Sequence, residues 1–311
     1  MKSRGLEVSF AWIFAIVVGA LILFLALYAT FNFISQGQQQ TDTEVAAQLV
    51  ALLSPVETGI ESGKYSQIQF NGETRVINRC SNVGVFGEQS IATQVRSFGN
   101  EWGEEGVAIR IRNKYVFSAS SEEGTVLHLF VKPLSMPYKV GDVIVATMDN
   151  YCFIAAPNDV FDELKALGMP HVSFVERRSQ CAAGAISVCF SGTGCGVQVD
   201  LARRAVTRDS KTVYYPDAVG QPLLYAAIFS DPDVYECHVK RLMKRAAELA
   251  EVYADKADLL QGSACSSDLS TELRSYAQFT RTITSSGSLG SVAREAEQLE
   301  DANNVLACRL F

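Results

Sequence analysis

The sequence is poor in the features that would announce a chemistry. It holds three histidines in 311 residues, and His128, His171 and His238 share no local spacing suited to one metal ion. No HExxH, GxSxG or phosphate-binding GxxxxGK pattern occurs, which removes the local signatures of zinc proteases, α/β-hydrolases and P-loop enzymes. There is no CxxC. The tightest cysteine set, Cys181, Cys189 and Cys195, is too widely spaced for a zinc ribbon or a thioredoxin motif. A basic tract is also missing. With 27 Lys+Arg against 34 Asp+Glu, the formal net charge of −7 makes nucleic acid a poor partner. No cofactor, metal or catalytic residue is therefore predicted.

Two further absences depend on position. No charged residue lies between Glu7 and Asp42, and no cysteine precedes Cys80. The first gap contains Phe10 to Phe33, a run dominated by Ala, Ile, Val, Leu and Phe. As a helix it would span roughly 36 Å, enough for a hydrocarbon core about 30 Å thick. Trp12, Tyr28 and Phe33 lie toward its ends, where amphipathic rings favour the interface. A cleaved secretory signal, with Ala29 at its cleavage site, would have a shorter apolar core of about 7–15 residues. A buried helix of a soluble protein would not need so long a charge-free gap. A retained transmembrane helix is the better reading. Lys2 and Arg4 precede it and Asp42 and Glu44 come after it, so the positive-inside rule puts the N-terminus in the cytoplasm and the rest outside.

The cysteines agree with that orientation. Cys80, Cys152, Cys181, Cys189, Cys195, Cys237, Cys265 and Cys308 all lie beyond the apolar run, and an even count in an exported segment predicts disulfides. Buried free thiols and a metal site are the alternatives. Eight cysteines allow 105 pairings, and spacing does not choose among them.

The pattern predicts an α+β protein in five parts: a short cytoplasmic N-terminus at 1–9, a transmembrane helix at 10–33, an extracellular helix extension at 34–54, a β-rich domain at 55–215 and a helical subdomain at 216–311. Val45, Ala46, Leu49, Val50, Leu52 and Leu53 continue a helical stripe to the Ser54-Pro55 step, so one long helix from about Glu7 to Leu53 is expected. Strands are predicted at 65–70, 74–78, 106–117, 125–132, 142–148, 172–175, 185–190, 197–201 and 212–215, with Asn71-Gly72 as a tight turn between the first two. Asp159 to Leu167, capped by Asn158 and closed by Gly168, is a helix between strands, the pattern of one βαβ unit. Beyond it, Leu223 to Phe229 is a short apolar helix, Asp231-Pro232 opens a long amphipathic one, and two more are expected over 266–280 and 291–302. Cys237 and Cys265 sit too far apart on a straight helix to pair with each other.

Four remaining features carry bland readings. The Gly192-x-Gly194-x-Gly196 stretch around Cys195 reads as a turn. The histidines read as packed or solvated. Glu104-Glu105 and Glu122-Glu123 read as solvated loop charge. Lys240, Arg241, Lys244 and Arg245 read as neutralised within their helix by Glu248 and Glu251, with contact to anionic headgroups or an acidic partner as the sharper alternative.

The opening Lys2-Ser3-Arg4-Gly5-Leu6-Glu7, leading into an apolar helix and then an amphipathic one, resembles an archaeal type IV prepilin with its class III signal. That resemblance implies cleavage after Gly5, a mature N-terminus at Leu6, and association of the helices as the core of a surface assembly. Glu7 would be the second mature residue, whereas the best-known pilins carry Glu at the fifth. The remainder, including Leu223 to Cys237, is similar to membrane-anchored surface proteins of small-genome archaea. The implied partners are the lipid bilayer and other membrane or surface subunits, met through Ala15, Gly19 and Ala20, small residues that let helix backbones approach. The leading expectation is a pilin-like, single-pass surface protein with a structural or interaction role. An anchored sensor or binding module and an anchored extracellular hydrolase are the alternatives.

Overall fold

The computed structural model describes residues 12–30, 65–96, 101–216, 222–262, 265 and 267–311. The expected helical extension at 34–54 and the Gly5, Leu6 and Glu7 processing site lie outside them. Helix α1 covers Trp12–Thr30 with a mean hydropathy of 2.6, and it is long and apolar enough to cross a membrane. The rest is α+β.

The first sheet has six strands, β1 (Tyr65–Ser81), β2 (Glu88–Val95), β3 (Ile109–Ile111), β4 (Tyr115–Phe117), β5 (Ser121–Ser135) and β6 (Lys139–Thr147), in the order β3-β2-β1-β5-β6-β4. All pairs are antiparallel except β4 with β6. The two edge strands are consecutive in sequence, joined by residues 112–114, so the sheet curls toward closure and encloses a core. Phe70, Ile91, Ile111, Val116, Leu127, Leu129 and Ile144 fill it. Gln89 fastens the seam. Its Oε1 accepts from Val116 N at 3.1 Å and its Nε2 donates to Val116 O at 2.9 Å, so a side-chain amide pairs with the β4 edge as a strand would.

Here the structure departs from the sequence reading. Residues 65–78 form one strand with an irregularity between Gln69 and Thr74, because both halves pair with the same partner, β5. Asn71-Gly72 bulges rather than reversing the chain. The expected 106–117 strand is two, broken where Asn113 adopts φ 58°. Strand β2 has no counterpart among the expected strands.

The second sheet is β7 (Tyr151–Ile154), β8 (Val172–Val175), β9 (Ile186–Cys189), β10 (Val197–Asp200), β11 (Ala205–Arg208) and β12 (Lys211–Tyr214), in the order β12-β11-β10-β9-β7-β8. Strands β7, β8, β9 and β10 run parallel, and α2 (Asn158–Leu167) crosses from β7 to β8 as a βαβ unit. Its helix and second strand are as expected, but its first strand is β7, which the sequence pattern does not predict, whereas the expected 142–148 strand belongs to β6 of the first sheet. Asn158 is its first helical residue rather than its cap. Pro157 takes the cap position, and Gly168 ends the helix at φ 66°.

Alternation along β7 assigns the faces. Tyr151 and Phe153 join the large core under the helices, whereas Cys152 and Ile154 face a small cluster with Cys189, Val175 and Cys181. That second face is covered by chain that Cys152–Cys181 and Cys189–Cys195 staple in place.

The helical layer is α3 (Pro222–Phe229), α4 (Pro232–Leu260), α5 (Ser270–Arg281) and α6 (Leu289–Asn304). Helix α3 is apolar on every side and all eight of its residues are buried. Helix α4 presents Ala246, Ala247, Ala250, Ala254 and Ala257 inward, so the helices approach closely. Its opening matches the expected pattern, with Asp231 as cap and Pro232 in the first turn. Residues from both sheets and from these helices share one hydrophobic core. Cys80–Cys237 and Cys265–Cys308 complete the pairing. The latter secures the C-terminal segment to the end of α4, as Lys256 Nζ also does by donating to Leu310 O at 2.6 Å.

Candidate functional site

The buried ionisable groups gather where the chain leaves the first sheet for the second, over residues 147–151. At one end Thr147 pairs across the sheet with His128. At the other, Tyr151 N donates to His171 O at 2.8 Å. Between them, Met148 N donates to Glu122 Oε2 at 2.9 Å and Thr147 Oγ1 to the same oxygen at 3.3 Å, while Ala119 N donates to Oε1 at 3.2 Å. Glu122 is only 2% exposed. The solvated reading of Glu122 is therefore wrong: the first sheet curls over it and backbone donors hold it. Burial raises its pKa to about 7, the nearby Asp149 adding to the rise and the donors opposing it. Its neighbour Glu123, on the opposite face, forms a surface ion pair with Arg75.

Asp149 and Tyr151 lie in the field of this carboxyl, with Arg208 and Asp231 next to them. Burial raises the pKa of Asp149, partly offset by Arg208. The Tyr151 hydroxyl and Arg208 Nη1 are both buried without a hydrogen-bond partner of regular geometry, yet each lies in the field of the other. Asp231, the cap of α4, accepts from Ser120 N at 2.7 Å and Ser120 Oγ at 2.6 Å and stands 3.9 Å from Arg208.

On the His128 side, two stacked imidazoles and the Tyr65 ring form a cluster. His128 and His171 lie face to face with centroids 3.9 Å apart, and the Tyr65 hydroxyl is 2.6 Å from His128 Nδ1. Both ring nitrogens of His171 are buried without partners, and burial, with a smaller contribution from the neighbouring His128, lowers its pKa to about 3. Such a histidine stays neutral at physiological pH. Stacked rings carry their lone pairs in parallel planes, so these two imidazoles do not converge on a metal. Among the described residues no group of three or more His, Cys, Asp or Glu side chains could hold one. The third histidine, His238, is fully buried elsewhere, with Nδ1 3.0 Å from Arg241 Nη1 and 3.7 Å from Cys80 Sγ. The packed reading thus fits His171 and His238. Sequence spacing gives no warning of the His128–His171 pair, because the two residues come from different sheets.

The cationic cluster of α4 also differs from expectation. Glu248 and Glu251 pair with Arg281 of α5, at 3.1 and 2.9 Å, rather than with their own helix. Arg241 is fully buried, donating to Phe86 O at 3.3 Å and Lys114 O at 3.1 Å with its guanidinium 5.0 Å from the Tyr115 ring. Lys244 donates to Asn82 O and Gly84 O. The cations grip the β1–β2 connection because its carbonyls, having no strand partner, accept from them. Ala15, Gly19 and Ala20 lie on α1, where a Cβ at Gly19 would meet nothing within 4 Å.

In open parallel sheets, ligands commonly bind at the carboxyl ends of strands whose connections diverge. Here β7 is flanked by β8 and β9, and the hollow beyond it is lined by Ala155, Phe161, Phe174, Val175 and Gln180. Ala155 holds φ 49° there. Glu176 shares this lining, and the Gln180 Oε1 there already accepts from Glu176 N at 3.2 Å and Arg177 N at 2.9 Å, so the polar groups of the hollow serve the loop itself. No protein-family model, curated protein or solved structure matches the chain.

An apolar N-terminal helix and four cysteine pairs at disulfide distance are compatible with a single-pass extracellular protein.

Proposed function

We propose that this chain is a single-pass, pilin-like surface protein whose disulfide-bonded ectodomain has a structural or interaction role in a surface assembly. The observation that carries the reading is the contrast between α1 and everything after it. Helix α1 buries none of its residues, and its large apolar side chains are 36 to 69% exposed. So apolar a surface is stable in lipid or against another such helix, not in water. The domain beyond it has all eight cysteines paired, as an oxidising exterior favours. Lys2 and Arg4 favour an N-terminus inside the cell. Ala15, Gly19 and Ala20 supply the small face along which neighbouring copies of α1 would pack. The sheet junction supports an interaction role over a hydrolytic one, since the Glu122 carboxyl is held by backbone donors and the His128 and His171 rings stack on each other.

Mass analysis of the protein from native membranes tests the pilin-like part directly. A mature chain beginning at Leu6, with filaments or oligomers in negative-stain micrographs, is the expected result. An N-terminus at Met1 on isolated particles would reduce the reading to a simple anchor. A chain beginning after Ala29 and released from the membrane would replace the anchor with a cleaved signal.

A further inference from the structure

The β1–β2 connection, residues 82–87, holds two valines in water. Val83 is 80% exposed and Val85 is 64% exposed. The connection is nonetheless fastened from beneath. Lys244 donates to Asn82 O and Gly84 O, Arg241 donates to Phe86 O, and Arg245 stands over the Phe86 ring at 5.7 Å. The Cys80–Cys237 disulfide joins the foot of the hairpin to α4. Gly87, at φ 60°, returns the chain so closely that a Cβ there would lie 2.4 Å from Ser81 O. A fixed tip that displays apolar side chains differs from a frayed loop that merely exposes them.

The surroundings of the tip are basic. Arg112 and Glu88 line the hollow beside the valines, Arg110 lies 3.8 Å from Glu88, and Lys244 and Arg245 approach from the helix side. Among the described residues placed against the tip, Arg110, Arg112, Lys244 and Arg245 outnumber Glu88. An apolar point inside a basic collar matches an anionic bilayer surface, whose phosphates meet the cations while the valines enter the acyl boundary. The same chain supplies a membrane through α1. Even with 34–54 helical, the 34 residues between Thr30 and Tyr65 reach roughly 75 Å, more than the length of a 17-residue strand such as β1. The far end of β1 is thus within reach of the bilayer that holds α1.

We infer that the 82–87 tip is a lipid-docking element that lays the ectodomain against the anionic surface of its own membrane. This rests on the anchored reading of α1. The test is amide hydrogen exchange of the full-length protein in nanodiscs of phosphatidylcholine, with and without phosphatidylglycerol. Exchange over 82–87 is expected to slow several-fold only where phosphatidylglycerol is present. High salt, the pair Val83→Ser and Val85→Ser, or Arg112→Glu should each reverse the slowing, while α2 and α5 exchange as before. Unchanged exchange at the tip with 12–30 protected overturns the inference and leaves the anchor intact. Free exchange over 12–30 removes the anchor and the inference together. Slowing that appears in native membranes but not on phosphatidylglycerol discs overturns it in favour of an acidic protein partner.

Discussion

At the scale of single residues, Glu122, His171 and Gly87 each carry a cost in the folded ectodomain. Glu122 keeps its proton to about pH 7 when folded, whereas an unfolded glutamate gives it up near 4.3. Between those values the folded state binds more protons than the unfolded one, so this group lowers stability as pH rises through that window. The loss is on the order of 3 kcal/mol, complete above about pH 7. His171 acts in the opposite sense. It stays neutral to about pH 3, so stability falls as pH drops below the ordinary histidine range and unfolded imidazole takes up protons. Over about pH 4.3 to 6.5 the two slopes oppose and largely cancel, so urea denaturation from pH 4 to 8 separates them in the variants: Glu122→Gln should make stability rise with pH across that window, and His171→Phe should make it fall. If Glu122→Gln leaves the pH dependence of the urea midpoint unchanged, that carboxyl is not the group responsible. At Gly87 the cost is conformational. Gly87→Ala must relieve a contact with backbone at a positive φ, and we expect a loss of about 2 to 4 kcal/mol, read as a lower urea midpoint with an unchanged slope.

At the scale of elements, disulfides stand in for a missing layer. The face of the second sheet that carries Cys152 and Ile154 is covered by chain cross-linked by two of them rather than by a helix. Their contributions should differ with the loop each closes. Cys80–Cys237 spans 157 residues and Cys189–Cys195 spans 6. Chain-entropy arguments assign about 5 kcal/mol to the first and about 2 to the second. Replacing each pair by serine should therefore cost markedly more at Cys80–Cys237, measured by thermal or urea denaturation. Equal losses would mean that local packing, not loop closure, dominates. The elements also show what periodicity can and cannot convey. Helix α2, the apolar α3 and the Asp231-Pro232 start of α4 are legible because their caps and stripes are local. Strand β2 (Glu88–Val95) is not, since its alternation includes Gln89 and Thr93, polar residues buried only because the curled sheet encloses them. Residues 65–78 read as a hairpin for a related reason. Asn-Gly is a turn signal, yet pairing with β5 on both sides of it outweighs the local preference.

At the scale of the whole molecule, α1 and the ectodomain suit different solvents, and each should survive without the other. Deleting residues 1–30 is expected to give a water-soluble protein whose melting temperature matches that of the intact chain, because no residue of α1 is buried. A large drop would show that α1 packs on the ectodomain. The sequence by itself determined the apolar N-terminal helix, the even set of cysteines beyond it, the α+β class and the helix over 158–167 that leads into the 172–175 strand. Each of these depends on composition or on contacts a few residues apart. Only the tertiary structure decided which cysteines pair, that Glu122 is buried, that His128 meets His171, and that the cations of α4 clasp the β1–β2 tip. Cys80 and Cys237 lie 157 positions apart, and Lys244 and Asn82 lie 162 apart. Chain distance says nothing about which such residues sheet curvature and helix packing will bring together. Burial then sets their chemistry, since it is the loss of water around a carboxyl or an imidazole that moves its proton affinity.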